Sequence, residues 1–496
     1  MKRYFIINIM ICAVAFLTSS CSNENDNIIS PSNSENHEGF TTITVGAPTI
    51  NYDAATTRMA FEYNNGLELT WTGSEYVRMR GWHYDSKWIQ KDIKSTTITP
   101  SVDRKTASIT YNGSFDTQTV YSAVIAPSES GCTNLLNSWE TGFNFATEQT
   151  QSGNGNTSHL ASNYVAIIKY VSSDAKSGFS FTNSWASNHA YANSPSKTAV
   201  TDSLGFFQQS ACLKLDLTLP VQVKQVKKVV LVADNNIFKT KNNGSQVTNT
   251  LTLNFSDISS DETYQLIGYI MLAAATTDFS NTTLAIKVYT GDGDNDYIYR
   301  TLTFGSGKAL QPGTLGVITL KNTGWLNESI ATTWTFDSFT TNDVLSTTSV
   351  YSYDNDTSSD DNILLYISGH SAENGAKIQA VSGNILIAGK TVPYTKSLYI
   401  PGGNTSSTVG RSVSTYTTDR VAFQAPSAGM VYAYMKGTTA TPKRYLIIDV
   451  NGTQDNTETT GSAQLVSKSV AANDNIFMGT SGGAATFYVI KFVPLK

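Results

Sequence analysis

A chain of 496 residues is too long for one hydrophobic core, and without a leader and a tether it suits three domains of ordinary size. Only 15% of the residues are charged, the formal net charge is −5, and Lys and Arg form no strong run after Arg3. These features argue against nucleic acid and against an anionic membrane surface as partners. Aromatic residues make up 11% of a chain rich in Ser, Thr, Asn and Gly, which favours strands over helices.

The first 20 residues are predicted to be a secretory signal peptide. Basic Lys2 and Arg3 precede an apolar run, residues 4–17, which is too short to span a bilayer as a permanent helix. Cys21 stands at the expected cleavage point and is therefore the predicted lipid-attachment site. Thr18 occupies the position where a strict lipobox has Leu, so an ordinary cleaved signal peptide remains the alternative.

Polar residues 21–40 lack periodicity and are predicted to be a flexible, lipidated tether. Residues 41–204 are assigned to a first β domain, in which residues 146–162 and 172–202 are expected to be loops or weakly ordered inserts. Its short β-type runs are separated by polar turns and lie at residues 41–45, 58–61, 67–71, 76–80, 108–111 and 120–125.

Residues 205–323 are predicted to form a second β domain with a clearer pattern. Apolar and polar residues alternate without exception over residues 213–219, as in a strand with one buried face. Residues 251–255 repeat this pattern, and residues 291–296 form a turn between two further strands.

Residues 331–496 form a third β-rich block after a boundary at residues 321–330. Its predicted strands are residues 333–336, 363–367, 385–387, 431–435, 445–450 and 487–493. Many short strands with turn signals favour a β-sandwich or jelly roll. The fold class is thus all-β throughout.

The sequence shows no constellation that supports catalysis, a metal site or a cofactor. The five His residues lack a second His or Cys at ligand spacing. Ser481 lies in a pattern that resembles a nucleophile elbow, but a predicted strand follows it and no His does. We therefore expect a protein that is not an enzyme. Cys132 and Cys212 could form a disulfide or remain unpaired and buried.

The first two β blocks resemble the fimbrillin family of Bacteroidetes, which includes surface pilus subunits. The resemblance covers roughly residues 41–321 and depends on the order of several motifs. These motifs are the leader and tether, residues 57–61 (TRMAF), 69–77 (LTWTGSEYV), 121–127, 206–213 (FFQQSACL) and 310–314 (LQPGT). The polar and acidic residues after Cys21 also resemble the signal that places Bacteroidetes lipoproteins on the outside of the outer membrane.

The family resemblance implies two tandem β-sandwich domains of transthyretin-like topology. It also implies proteolysis after an Arg, here Arg58, which would make Met59 the new N-terminus and release the first strand. A strand of a neighbouring subunit would fill the gap by β-augmentation. In polymerising relatives the C-terminal region supplies that strand, whereas a further domain follows here.

We therefore predict a surface-exposed fimbrillin-like lipoprotein of the outer membrane that serves cell adhesion or pilus assembly, as an accessory, tip or anchor subunit rather than a shaft subunit. Its expected partners are other pilus subunits, or host or microbial surface glycans or proteins. The alternative is an outer-membrane glycan-binding lipoprotein. In that case the third block would bind sugar through exposed aromatic side chains, and the candidates are Tyr351, Tyr353, Tyr394 and Tyr416.

Overall fold

The all-β class predicted from the sequence is confirmed. The structure is a computed structural model, and α1 (Glu129–Asn137) is the one α-helix among the residues that it describes. The described residues are 40–49, 71, 73–85, 87–102, 106–112, 119–126, 128–137, 143–162, 166–171, 205–208, 210–221, 223–242, 244–256, 258, 265–273, 275–346, 350–353, 363–369, 375–402, 408–415, 419–439 and 443–496. They belong to two compact units.

In the first unit, seven strands close into a barrel in the order β1-β4-β3-β2-β5-β7-β8. The strands are β1 (Phe40–Thr49), β2 (Tyr76–Asp85), β3 (Lys87–Pro100), β4 (Thr106–Asn112), β5 (Thr119–Ala126), β7 (Ala166–Val171) and β8 (Gly205–Gln208). Neighbouring strands are antiparallel, except that β1 runs parallel to β8. A closed barrel has no free sheet edge, so each of its strands is held from both sides.

Helix α1 packs on the barrel strands β2 and β5. Ser128 caps its N-terminus, because its Oγ accepts a hydrogen bond from the Gly131 amide at 3.0 Å. Cys132 and Leu135 form the buried face of the helix. At the other end, the Arg80 guanidinium donates to the Leu136 carbonyl and satisfies an oxygen that the helix leaves unpaired.

The second unit begins with a β-sandwich, here called the second sandwich. A six-stranded sheet in the order β20-β17-β16-β10-β13-β6 faces a three-stranded sheet in the order β14-β9-β19. The strands are β6 (Glu148–Ser152), β9 (Ala211–Thr218), β10 (Lys228–Ala233), β11 (Phe238–Lys239), β12 (Val247–Thr248), β13 (Thr250–Ser256), β14 (Gln265–Leu272), β15 (Thr277–Asp278), β16 (Thr283–Tyr289), β17 (Tyr297–Thr303), β18 (Ala309–Leu310), β19 (Leu315–Leu320) and β20 (Leu326–Asn327).

The alternation predicted over residues 213–219 is confirmed. Leu213, Leu215, Leu217 and Leu219 are fully buried in the core, whereas the polar residues between them are partly exposed. The turn predicted at residues 291–296 also connects two antiparallel strands, β16 and β17. Apolar residues at every second position bring one face of each strand into a common core.

Residues 146–162, predicted to be a loop of the first domain, have regular secondary structure instead. They contain strand β6 and a 3₁₀ turn (Ser158–Ser162), and β6 runs parallel to β13 of the second sandwich. The loop prediction is therefore wrong. Residues 205–208 join the barrel as β8, on the other side of the predicted domain boundary.

A third sandwich completes the second unit. One sheet has the order β22-β25-β26-β33-β28-β31, with β21 also paired to β33, and the other has the order β23-β24-β27-β32-β29-β30. The strands are β21 (Thr332–Thr335), β22 (Val344–Ser346), β23 (Tyr351–Tyr353), β24 (Leu365–Ser368), β25 (Ala376–Ile387), β26 (Lys390–Ile400), β27 (Arg420–Gln424), β28 (Gly429–Gly437), β29 (Tyr445–Val450), β30 (Thr453–Glu458), β31 (Gln464–Val470), β32 (Asn475–Thr480) and β33 (Ala485–Pro494). Trp334, Phe336 and Phe423 are fully buried in its core.

The tip of the β25–β26 hairpin rests against strands β10 and β16 of the second sandwich. Ala388 and Gly389 both have positive φ, 50° and 76°, which is the backbone of a two-residue type I′ turn. A Cβ at Gly389 would lie 3.0 Å from Val232 Cβ and 3.1 Å from Ala285 Cβ. Glycine is therefore needed here both for its φ angle and for the close approach to the sheet.

Candidate functional site

Strand β1 closes the barrel between β4 and β8. It pairs with β4 in an antiparallel ladder from Phe40↔Asn112 to Gly46↔Thr106. On its other side it runs parallel to β8, with Gly46↔Gly205 and Thr49↔Phe207 as paired residues. Loss of β1 would leave unpaired N–H and C=O groups along both β4 and β8. Another extended segment could satisfy the same groups.

The residues predicted to be processed lie close to this strand in sequence. Arg58 and Met59 come shortly after the last residue of β1, Thr49, and before the next barrel strand. Both residues lie outside the described ranges, as does Cys21, so lipidation and cleavage stay predictions. Cleavage at Arg58 would leave β1 joined to the barrel by non-covalent contacts alone.

A polar cleft of about 360 Å³ opens beside the motif at residues 69–77. It is lined by Gly73, Ser74, Glu75, Tyr76, Val77, Arg78, Lys94, Ser95, Thr96, Thr97, Ile98, Glu129 and Cys132. The Lys94 ammonium lies 2.8 Å from the Glu129 carboxylate, and this hydrogen bond lowers the pKa of Glu129. Arg78 donates to Thr133 of α1. The charged groups of the cleft are therefore engaged with neighbouring protein atoms.

The candidate sugar-binding tyrosines of the third sandwich have different surroundings. Tyr353 is buried, and its hydroxyl donates to the Thr335 carbonyl at 2.9 Å. Tyr394 is also buried and packs against Tyr434 and Tyr488, with ring centroids 6.0 and 5.3 Å away. Tyr351 is 37% exposed. Tyr416 lies outside the described residues.

Of the three described candidates, Tyr351 offers the most surface to a ligand. Its ring stands edge-on to Phe339, with centroids 6.2 Å apart. A sugar ring needs an accessible aromatic face, and the buried rings of Tyr353 and Tyr394 present little of theirs. Sugar binding by any of these residues stays a prediction.

A buried ionic cluster, here called the charged joint, connects the second and third sandwiches. Glu328 follows β20, and its carboxylate accepts hydrogen bonds from Lys491 of β33 at 2.6 and 2.8 Å. Lys390, at the start of β26, donates to the same carboxylate at 2.8 Å. Lys287 of β16 donates to the Gly389 carbonyl at 2.7 Å. Each ammonium group is thus bound to protein oxygen atoms.

Burial determines how the charged joint titrates. Desolvation lowers the pKa of Lys287 to about 8, although the Glu328 charge opposes this shift. Burial also lowers the pKa of Lys491. The nearby hydroxyls shift the other way, because burial raises the pKa of Tyr297 and Tyr299. Such shifts occur at active sites and in structural ion pairs alike, and here the lysines hold two sheets together.

The remaining candidates for chemistry have structural surroundings. Ser481 Oγ accepts a hydrogen bond from the Tyr445 amide at 2.9 Å, and β33, not a helix, begins a few residues later. In the turn at residues 291–296, the Asp296 carboxylate accepts a hydrogen bond from the Gly293 amide at 3.0 Å. Within the described ranges, no cluster of His, Cys, Asp and Glu has the arrangement of a metal site.

Cys132 and Cys212 are both free thiols, and both are buried. Burial raises the pKa of Cys132 to about 12 and raises that of Cys212 as well. Thiols that remain protonated are poor nucleophiles. The prediction of unpaired, buried cysteines is thus confirmed over the disulfide alternative.

Among the residues that the structure describes, no helix has the length and apolar character that a membrane span requires. Helix α1 has only 9 residues.

Comparison with known proteins gives only distant likenesses. No protein-family model matches the chain. No curated protein matches it. A chain described as a candidate cell adhesion protein of Bacteroides fragilis aligns with 60% of this chain and 100% of its own length, at 10% identity and a TM-score of 0.29.

Two further solved structures align over about half of this chain. The C-terminally truncated tip fimbrial protein Mfa3 of Porphyromonas gingivalis covers 53% of this chain and 81% of its own, at 10% identity and a TM-score of 0.27. A β-glucuronidase of Bacteroides uniformis covers 54% of this chain and 26% of its own, at 12% identity and a TM-score of 0.18. Because these TM-scores are low, the function has to be argued from the motifs and strands of this chain.

Proposed function

We propose that this protein is a fimbrillin-type surface lipoprotein that serves cell adhesion or pilus assembly by strand exchange. The observation that carries the proposal is the position of β1. This strand completes the barrel through backbone ladders with β4 and β8, and the predicted cleavage site Arg58 comes between it and the next barrel strand in sequence. A single proteolytic cut would turn a closed barrel into an acceptor for a foreign strand.

We further propose an accessory, tip or anchor position rather than a place in a repeating shaft. A shaft subunit must also donate a strand to a neighbouring subunit. Strand β33 pairs with β26 and β21 on one side and with β28 on the other, so it lies inside its sheet. Its residues Phe487, Val489 and Phe492 are fully buried. Removing β33 would break both the third sandwich and the charged joint.

An outer-membrane location and a mode of action by contact rather than turnover are further parts of the proposal. The leader, Cys21 and the polar residues after it support an anchored protein exposed to the medium. The polar clusters described above are engaged in structural contacts, which supports the proposal that the protein is not an enzyme.

The test is expression in the native host with variants at the two processed positions. We expect the wild-type protein to fractionate with the outer membrane, to lose its first strand and to form oligomers on the cell surface. Arg58→Lys keeps the charge but should resist an Arg-specific protease, so this variant should stay full-length and monomeric. Cys21→Ala should appear in the soluble fraction.

Two results would contradict parts of this proposal. A wild-type chain that remains full-length and monomeric on cells would exclude assembly by strand exchange and leave adhesion or anchoring. A Cys21→Ala variant that still fractionates with the outer membrane would refute the lipid anchor.

Glycan binding is a second candidate function, and the exposure of Tyr351 favours it. The aromatic ring of Tyr351 is accessible at the edge of the third sandwich, next to Phe339. We expect the full chain to retain a glycan on an array and Tyr351→Ala to lose it. Tyr353→Phe is the matched control, because it removes only a hydroxyl that is bonded inside the protein. An array without any bound glycan would rule this function out.

A further inference from the structure

The second sandwich contains a groove that a single short strand fills. Strand β6 has 5 residues, and its backbone runs parallel to β13 from Glu148↔Thr252 to Ser152↔Ser256. On the opposite sheet, β14 pairs with β9 on one side only. The groove between β13 and β14 is therefore bordered by two sheet edges, each with backbone groups that need partners.

Strand β6 satisfies the β14 edge with amide side chains instead of its backbone. Gln149 and Gln151 are buried and point across the groove. Gln149 Nε2 donates to the Met271 carbonyl at 2.7 Å, and its Oε1 accepts from the Met271 amide at 3.0 Å. Gln151 donates to the Ile267 carbonyl at 2.8 Å and accepts from the Tyr269 amide at 2.9 Å.

Asn154 continues this pattern beyond the end of β6. Its side chain donates to the Gln265 carbonyl at 2.7 Å and accepts from the Ile267 amide at 2.7 Å. Each of the three amides thus engages both a donor and an acceptor of β14, as a neighbouring strand would. We call residues 144–157, which contain β6 and Asn154, the strap.

The groove therefore selects an occupant of defined chemistry. The segment must be extended to pair with β13, must carry amides at alternate positions to pair with β14, and must place a further amide three residues later. An apolar strand could not make the amide hydrogen bonds to Ile267, Tyr269 and Met271 of β14, and losing hydrogen bonds to buried backbone groups is costly. The strap of this same chain meets all these requirements.

The strap belongs to the second unit together with residues 158–163, whereas residues 65–143 and 164–209 belong to the first unit. Its attachment to the second sandwich is non-covalent. We propose that two copies of this chain exchange their straps, so that the strap of one copy fills the groove of the other. This goes beyond the proposed function, because it involves neither β1 nor cleavage at Arg58.

Disulfide trapping tests the exchange directly. Ser152 and Ser256 are paired residues in the β6–β13 ladder. When Ser152→Cys and Ser256→Cys are combined in one chain, we expect an intrachain disulfide, which verifies that the two positions are within reach. When the two single variants are mixed at high concentration, we expect a covalent heterodimer. Of the natural cysteines, Cys132 and Cys212 are buried and should contribute no background. Cys12 and Cys21 lie outside the described residues and are replaced by Ser in every variant of this test.

The matched control replaces Ser152→Cys with Ser74→Cys, an exposed position in the first unit. We expect at least about tenfold more covalent dimer with Ser152→Cys than with this control, which corresponds to about 1.4 kcal/mol. Equal amounts of dimer in the two mixtures would overturn the proposal. A doubly substituted chain that fails to close would overturn it too, because the β6–β13 register would then be wrong.

Discussion

The strap and the charged joint are both buried polar clusters of the second unit, but they use different chemistry. The strap pairs neutral amides with backbone groups. The charged joint pairs Glu328 with Lys491 and Lys390, next to Lys287. In both places the polar groups connect two β-sheets that hydrophobic contacts also hold together.

The difference lies in what happens when one partner is removed. A neutral amide that loses its partner has the cost of an unsatisfied hydrogen bond, whereas a buried ammonium without its counter-ion has the larger cost of an unpaired charge. Only the charged cluster responds to pH in the range where lysine titrates. The charged joint is therefore the more sensitive of the two connections.

Glu328→Gln should have the largest effect on stability. The substitution preserves shape but leaves the buried Lys491 without the carboxylate that compensates its burial, and it also removes the ion pair with the half-buried Lys390. We expect the free energy of unfolding of the second unit to fall by about 3–5 kcal/mol in denaturant titrations. Glu458→Gln is the matched control, because Glu458 pairs with Lys443 at the exposed surface and the substitution should be nearly neutral. Equal losses would refute the structural role of the charged joint.

The pH dependence of Lys287 should be the next largest effect. Its pKa is about 8 in the folded protein, against an ordinary value of 10.5. Between these values the unfolded chain binds a proton that the folded chain does not, so stability should rise with pH through this window. We expect a gain of up to about 3 kcal/mol in the wild type relative to Lys287→Met. If the free energies of unfolding of the two proteins change with pH in the same way, the pKa of Lys287 is not lowered by folding.

Gln149→Ala should weaken the strap to a smaller extent. The truncation leaves the Met271 amide and carbonyl without their side-chain partner, and we expect a loss of about 2 kcal/mol. Thr150→Ala changes the exposed face of the same strand and should be nearly neutral. Hydrogen exchange at the Met271 amide should become faster in Gln149→Ala only. If the Met271 amide exchanges equally slowly in Gln149→Ala, its hydrogen bond to Gln149 does not stabilise the strap.

Gly268→Ala should have the smallest of these effects. A Cβ at this position in β14 would lie 2.7 Å from Leu253 Cδ2, so the core under the strap would have to shift. We expect a loss of about 1–2 kcal/mol by thermal or chemical unfolding. Gly305→Ala, whose Cβ would meet no atom within 4 Å, is the control and should be neutral. If Gly268→Ala left the stability unchanged, the two sheets would pack less closely at Gly268 than the structure shows.

The sequence predicts the second sandwich well where apolar residues alternate. Leu213 and its neighbours in β9 have a single buried face, and the pattern shows it. Apolar alternation does not predict that Lys287 is buried, because Lys287 lies on the outer face of its sheet. That face is covered by the tip of the β25–β26 hairpin, and this long-range contact leaves no signal near Lys287 in the sequence.

Strand β6 could not be predicted from hydrophobic periodicity. Its sequence, EQTQS, contains no apolar residue, and its buried positions hold Gln149 and Gln151. The alternation is present, but it is an alternation of amides with other polar residues. A search for amides at period two next to a glycine-rich turn could have suggested the strap. The position of Glu328 beside Lys491 depends on residues far apart in the chain and gives no such local signal.

The central claim is that β1 is an exchangeable strand, and peptide binding tests it most directly. A chain that begins at Met59 lacks β1 and, according to this account, binds a labelled peptide of residues 40–49. The same peptide with Pro in place of Ile43 and Val45 cannot form the ladder with β4 and should not bind. Specific binding of the first peptide alone is the predicted result. A folded chain that binds neither peptide, or both equally, would contradict the claim.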